Sequence, residues 1–237
     1  MKALVVQHMA WECAGRNLLE AAEENGLALE VCGAWHAPLP PLAGFDALIV
    51  LGGAPNVDED GKYPYLTVLK HRIRECVDAG KPYLGFCLGH QLLGNVLGAE
   101  VSKNKEKSVG VIEGRLTTAG KRHPLFAGLP ARFPMLKWHG MAVKAPLPSG
   151  VELLATSRAC TVEAIALAEK PQVIGLQFDN HAFSRTDVEK WAAADYAWIH
   201  EDNDMRVEEM VAAVEKSGEK AGKQFKALFA NFVGLMK

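Results

Sequence analysis

Hydrophobic positions in the first hundred residues alternate between two periods. Short apolar runs at Ala3–Val6, Leu27–Val31, Ala47–Leu51 and Pro82–Phe86 read as strands of a buried parallel sheet. Between them, apolar residues recur at helical spacing over Arg16–Asn25, Leu66–Ala79 and Leu88–Leu97, and each segment is followed by a glycine that can end a helix (Gly26, Gly80, Gly98). Strand–helix alternation of this kind predicts a parallel sheet covered on both faces. From Ala99 to Phe178 the pattern changes to β-like runs cut by Gly and Pro: Val109–Thr117, Phe133–Leu136, Val151–Ala155, Cys160–Ala168 and Val173–Phe178. These are expected to extend the same sheet in antiparallel fashion, because no linker-like composition separates the halves. The last sixty residues are helical. Ser184 with Asp187 forms a capping-box start, and Val207, Met210, Val211, Val214, then Phe225, Leu228, Phe229, Phe232 keep a helical period that Gly218 and Gly222 are expected to interrupt. One domain over residues 1–200, with 201–237 as a helical extension packed on it, is the organisation this predicts.

Composition narrows the function classes. The 237 residues are 49% hydrophobic and 23% charged, enough for a sizeable core and unlike a disordered chain. The near-balance of 26 Lys+Arg and 28 Asp+Glu carries no nucleic-acid footprint. Five scattered cysteines without a C-x-x-C pair argue against a disulfide framework or a zinc site, and no metal is expected. No apolar run reaches membrane-span length, and the N-terminus lacks a signal-peptide pattern, so a cytoplasmic location is expected. No P-loop or Rossmann fingerprint is present, so no nucleotide or other cofactor is expected. The Lys103–Lys107 run (KNKEK) reads as a solvated turn.

The chemistry concentrates at Gly85-Phe-Cys87-Leu-Gly89, where a strand runs straight into a helix. This is the thiol counterpart of the G-x-S-x-G nucleophile elbow. The sharp turn lifts Cys87 clear of the sheet, and glycines two residues to either side remove Cβ clashes. A helix N-terminus favours thiolate, and the Leu88 N–H is placed to hold an oxyanion. Free cysteines usually serve as packing residues; the elbow context sets Cys87 apart from Cys13, Cys32, Cys76 and Cys160. Gly52-Gly53, directly after the ALIVL strand, is suited to supply a second oxyanion donor, although alone it is only a tight loop. His8 and Glu12 follow the first strand at the sheet end where open α/β sheets bind ligands, a position that ordinary loop polarity also explains.

LGGAPNV (51–57), KPYLGFCLGHQLLGNVLGAEV (81–101), Lys137-Trp-His-Gly140, Leu153-Leu-Ala-Thr-Ser157 and Val173-Ile-Gly-Leu-Gln-Phe178 occur in one order. In that order the chain resembles the class I glutamine amidotransferases, most closely stand-alone members similar to the glutaminase part of GMP synthetase. The resemblance implies a flavodoxin-like open sheet. It also implies attack of Cys87 on the side-chain amide of glutamine and a γ-glutamyl thioester that water hydrolyses. Gly53 and Leu88 would be oxyanion donors, with Gln91 placing substrate. It further implies ammonia release to a synthetase on a separate chain, since the residues left over fit no acceptor domain.

The sequence departs from the family where the base belongs. The family strand end reads Gln-Phe-His-Pro-Glu; here Gln177-Phe178 continues Asp179-Asn180-His181. Met141 stands where Asp is common, and Ser108 where Glu is common. Three readings stay open. His181 and Asp179 exchange roles, since i and i+2 of an extended segment share a face; another histidine, His139 or His90, serves as base; or efficient glutaminase activity is lost and the fold serves binding or regulation. Hydrolysis of another γ-glutamyl compound, such as a γ-glutamyl amine or peptide, would use the same elbow with a different pocket.

Overall fold

The computed structural model describes residues 1–106, 108–202 and 205–237. Lys107, the last residue of the basic run, lies outside them. Strands β1 (Lys2–Gln7), β2 (Ala28–Gly33), β3 (Ala47–Val50) and β4 (Tyr83–Phe86) alternate with helices α1 (Arg16–Glu24), α2 (Tyr65–Ala79) and α3 (Leu88–Val96). The middle of the chain supplies β5 (Val101–Lys103), β6 (Val109–Leu116), α4 (Thr118–Arg122), β7 (Arg132–Trp138), β8 (Met141–Val143), β9 (Val151–Ser157), β10 (Ala164–Leu167) and β11 (Lys170–Leu176). Helices α5 (Arg185–Ala194) and α6 (Val207–Gly234) close the chain.

Nine strands form one sheet in the order β2-β1-β3-β4-β11-β10-β9-β6-β7. The first five are parallel and the rest antiparallel, so the β-like middle extends the first sheet. β4 lies in the interior of the sheet, with Gly85 paired to Val50 on one side and Gly175 on the other. Because β3 and β4 are buried on both faces, their runs are continuously apolar, and the side chains split by alternation into two cores. Ile49, Leu84 and Phe86 face α1 and the C-terminal half of α6 through Leu18, Ala21, Phe225 and Phe229. Leu48, Val50 and Tyr83 face α2 and α3 through Leu66, Ile73, Leu92 and Leu93. A third cluster joins Leu136 and Trp138 of β7 to Trp191 of α5 and Met210 and Val214 of α6.

One local expectation is corrected, and one element had no counterpart in the pattern. α6 runs unbroken through Gly218 and Gly222. A glycine costs about 1 kcal/mol against alanine inside a helix, and at 222 the missing side chain lets α6 approach α1, where a Cβ would meet Asn17 Oδ1 at 3.3 Å. The β5–β8 ribbon, Val101 paired with Val143 and Lys103 with Met141, is too short to register as a periodic pattern. The Ser184 start is as read: its Oγ accepts the Asp187 N–H at 3.2 Å and bonds the Asp187 carboxylate at 2.6 Å.

Candidate active site

The C-terminal ends of β1, β3, β4 and β11 converge on Cys87. Its φ of 45° is the one positive value at a non-glycine residue among those described, a strained conformation worth about 1–3 kcal/mol that only a well-determined surrounding maintains. The surrounding is visible. The Cys87 N–H bonds Leu176 O on β11 at 2.8 Å, and its carbonyl accepts the Gln91 N–H at 3.0 Å, so the turn is held from both sides. The flanking glycines are sterically required. A Cβ at Gly89 would stand 2.3 Å from Val50 O, and one at Gly85 would stand 2.5 Å from the Gly89 carbonyl carbon. α3 thus packs backbone against strand.

Cys87 opens into a cavity of about 330 Å³ that Gly53, Asn56, Gln91 and His139 also line, with Trp11, Glu12, Trp138, Asp195 and Trp198. Of the expected residues, Cys87, Gly53, Gln91 and His139 therefore meet at one place. Leu88 N–H approaches the sulfur from the helix start. Gly52 is wedged between elbow and loop: a Cβ there would lie 2.5 Å from Glu12 Oε1 and 3.3 Å from Cys87 Cβ. Gln91 Nε2 donates to Met141 O at 2.9 Å and lies 3.3 Å from Gln177 Oε1.

The histidines lie elsewhere or are engaged. Residues Asn180–Ala182 form a 3₁₀ turn and not the extended strand end on which face-sharing was argued. Asn180 imposes the turn: its Oδ1 accepts Leu136 N–H and its amide donates to Pro134 O, both at 2.8 Å. His181 is fully buried against Phe86 and Trp191, with ring centroids at 4.7 and 5.9 Å; its Nδ1 accepts Gly15 N–H at 3.3 Å, and its Nε2 stands 3.6 Å from Asp179 Oδ1. Asp179 and His181 are neighbours, as their spacing implied, but neither is on the cavity wall. His139 is on that wall with both nitrogens in use, Nε2 at 2.8 Å from Ser108 Oγ and Nδ1 at 2.8 Å from Met141 O. The carbonyl can only accept, so Nδ1 carries the proton and Nε2 receives the Ser108 hydroxyl. Ser108 and Met141, two of the departures from the family pattern, thus clamp one imidazole. His90 is buried beneath β11 against Gly175, and burial lowers its pKa to about 3.

Among the described residues, the hydrogen-bond partner of Cys87 Sγ is the Trp138 carbonyl at 3.9 Å. Burial pushes the thiol pKa well up; Asp179 and Glu12 push it further, and Lys137 and the Leu88 N–H pull the other way. Burial also raises Asp179, against the pull of His181. Glu12 is raised well above its ordinary value by burial, then by Asp179 and Asp195. The thiol therefore rests protonated among carboxyl groups. Lys137 is fully buried and ion-paired to Glu163, whose other oxygen accepts Ser157 Oγ at 2.6 Å.

His139, Cys160 and Glu163 bring potential metal-ligating atoms within 4.8 Å of one another. Those of Glu163 and His139 already have polar partners, and the Lys137 ammonium supplies the positive charge, so a cation would have to break an ion pair to enter. Glu12, Trp11, Asp195 and Trp198 are among the wall residues the sequence reading did not assign to the site. For Glu12 the available signal was its place just beyond β1 at the ligand-binding end of the sheet.

A cysteine at the turn between β4 and α3, with Gly52 and Gly53 just beyond the end of β3, marks an α/β protein whose cavity opens at the C-terminal ends of its parallel strands. The family model for class-I glutamine amidotransferases matches residues 13–186, and the chain belongs to that family. It is 36% identical over 145 residues to the glutamine amidotransferase-like protein YfeJ of Salmonella typhimurium, covering 59% of this chain and 60% of that protein. It is 34% identical over 131 residues to a glutamine-hydrolyzing GMP synthase subunit of Methanothermobacter thermautotrophicus, covering 55% of this chain and 62% of that protein. The chain thus spans about three fifths of these relatives. The fold matches a crystal structure of a glutamine amidotransferase from Thermotoga maritima with a TM-score of 0.87 at 22% identity, over 98% of this chain and 97% of that one. Among the described residues, no helix is long and apolar enough to cross a membrane.

Proposed function

We propose that the chain hydrolyses a γ-glutamyl amide, of which glutamine is the simplest, through a thioester on Cys87. The observation that carries this is the strained elbow opening Cys87 into a cavity shared with Gly53 and Gln91. The sulfur attacks Cδ of the substrate. The N–H groups of Leu88 and Gly53 hold the oxyanion, Gln91 fixes the amide, and the thiol proton leaves with the departing nitrogen. Water then releases glutamate. With glutamine as substrate, the ammonia passes to a synthetase on another chain, an arrangement supported by the naming of the methanogen relative as one subunit of its synthase.

One observation favours slow turnover in the free chain: Asp179 occupies the position of the family's imidazole and disfavours thiolate. Among the described residues no imidazole is hydrogen-bonded to Cys87 Sγ, and His139 is held on the wall by Ser108 and Met141. Steady-state glutamate release from glutamine, compared with Cys87→Ala, tests the reading; equal background from both proteins refutes it. Combining Asp179→His with His181→Glu rewrites the strand end to the family pattern and is expected to raise the rate by about 10²-fold, the lower range for a positioned general base. An unchanged rate would mean that imidazole is not what the site lacks.

A further inference from the structure

The wall of the Cys87 cavity is more aromatic and more acidic than ammonia release from glutamine requires. Trp11, Trp138 and Trp198 line it together with Glu12 and Asp195. The Trp138 and Trp198 rings lie stacked at 6.4 Å, and Trp138 Nε1 donates to Asp195 Oδ2 at 2.9 Å, which leaves the indole richer in electrons. Glu12 is 3% exposed, and its Oε2 has no hydrogen-bond partner among the described residues. A buried carboxyl without a donor is costly, and its acidic neighbours, Asp179 and Asp195, raise that cost. The nearby cations do not meet it. Lys137 is committed to Glu163, and Lys103, which also lines the cavity, is exposed to water. Indole faces beside carboxyl groups are a setting that recognises ammonium ions.

We propose that the substrate is a γ-glutamyl amide whose amine portion carries a second, positively charged nitrogen, seated between the tryptophans and Glu12. This rests on the γ-glutamyl amide reading above and names its substrate class. It also gives the carboxyl groups a purpose. Glu12 crowds the same point as Cys87 across Gly52, so a cation placed there offsets the carboxyl groups that add to burial in disfavouring the thiolate. In the step itself the S–Cδ bond forms and the Cδ–N bond breaks. The thiol proton leaves with the amine, and water splits the thioester to glutamate and free thiol.

The test is calorimetric titration of the Cys87→Ala chain with two near-isosteric ligands, γ-glutamylbutylamide and γ-glutamyl-diaminobutane, which share the α-ammonium and differ only in the distal nitrogen. The cationic ligand is expected to bind at least about tenfold tighter. The affinity ratio should fall toward one in the added Glu12→Gln variant and decrease in the added Trp198→Leu variant, at a partly exposed position. In the chain with Cys87 intact, kcat/KM should follow the same order. Equal or weaker binding of the cationic ligand overturns the inference while leaving γ-glutamyl binding in place. So does a ratio unmoved by both wall variants. Failure of both ligands to bind overturns the γ-glutamyl reading itself.

Discussion

Replacing Asp179 by asparagine removes a fully buried carboxyl group that acts on the Cys87 thiol and keeps the side-chain shape. Of the side chains acting on Cys87, Asp179 has the largest effect, ahead of Glu12, and Lys137 opposes both. Asp179→Asn should therefore lower the Cys87 pKa. At any pH below both values the thiolate fraction rises about tenfold for each pKa unit lost. Intrinsic nucleophilicity falls by about threefold per pKa unit lost, leaving a net gain of about threefold in alkylation rate per unit. The assay is the pH–rate profile of iodoacetamide labelling, followed at the Cys87 peptide by mass spectrometry because Cys13 is also partly accessible. Glu12→Gln should move the profile the same way by less. An unmoved profile, or a larger shift from Glu12→Gln, would refute the view that Asp179 governs the thiol.

Two further outcomes follow from the buried charges. Burial lowers His8 to about 4 and His90 to about 3, so both stay neutral in the fold while the unfolded chain takes up protons below about 6.5. The stability they contribute is complete above that value and is lost as pH falls from 6.5 toward 4, about 3 kcal/mol for His8 alone. Glu12 and Asp179, raised in the fold, act in the opposite sense. The fall in Tm between pH 6.5 and 4 should therefore be shallower in His8→Asn than in the unaltered chain, and an equal slope would remove His8 from the account. Lys137→Met strands Glu163 as an unpaired buried charge and should cost about 3–5 kcal/mol, read as a Tm lower by about 10 °C, with most of the loss recovered when Glu163→Gln is added.

The strands and helices around Cys87 were legible because their signals are local. β3 and β4 are short apolar runs that must be buried, and Gly85 and Gly89 announce a turn in which no Cβ fits. Cys87, Gly53, Gln91 and His139 could be brought together from the sequence because each sits at an element end or adjoining loop, and a parallel sheet gathers those ends. The orientation of side chains beyond the sheet was not legible. The i, i+2 rule for Asp179 and His181 assumed extended backbone, whereas Asn180 bonds two groups of β7 that are remote in sequence and winds the segment into a 3₁₀ turn. Likewise Gly218 and Gly222 look like breaks until α1 is seen packed against the helix at 222.

By itself the sequence determined the alternating α/β pattern, the elbow and the residue types available for chemistry, since periodicity and backbone sterics act within a few residues. Only the tertiary structure decided which groups face the thiol. It buried His181 behind the strand end, clamped His139 between Ser108 and Met141, and brought Glu12, Trp11 and Trp198 from distant segments to one wall. The electrostatics of the thiol depend on distances between residues far apart in the chain and on removal of water, and the packed fold alone sets both.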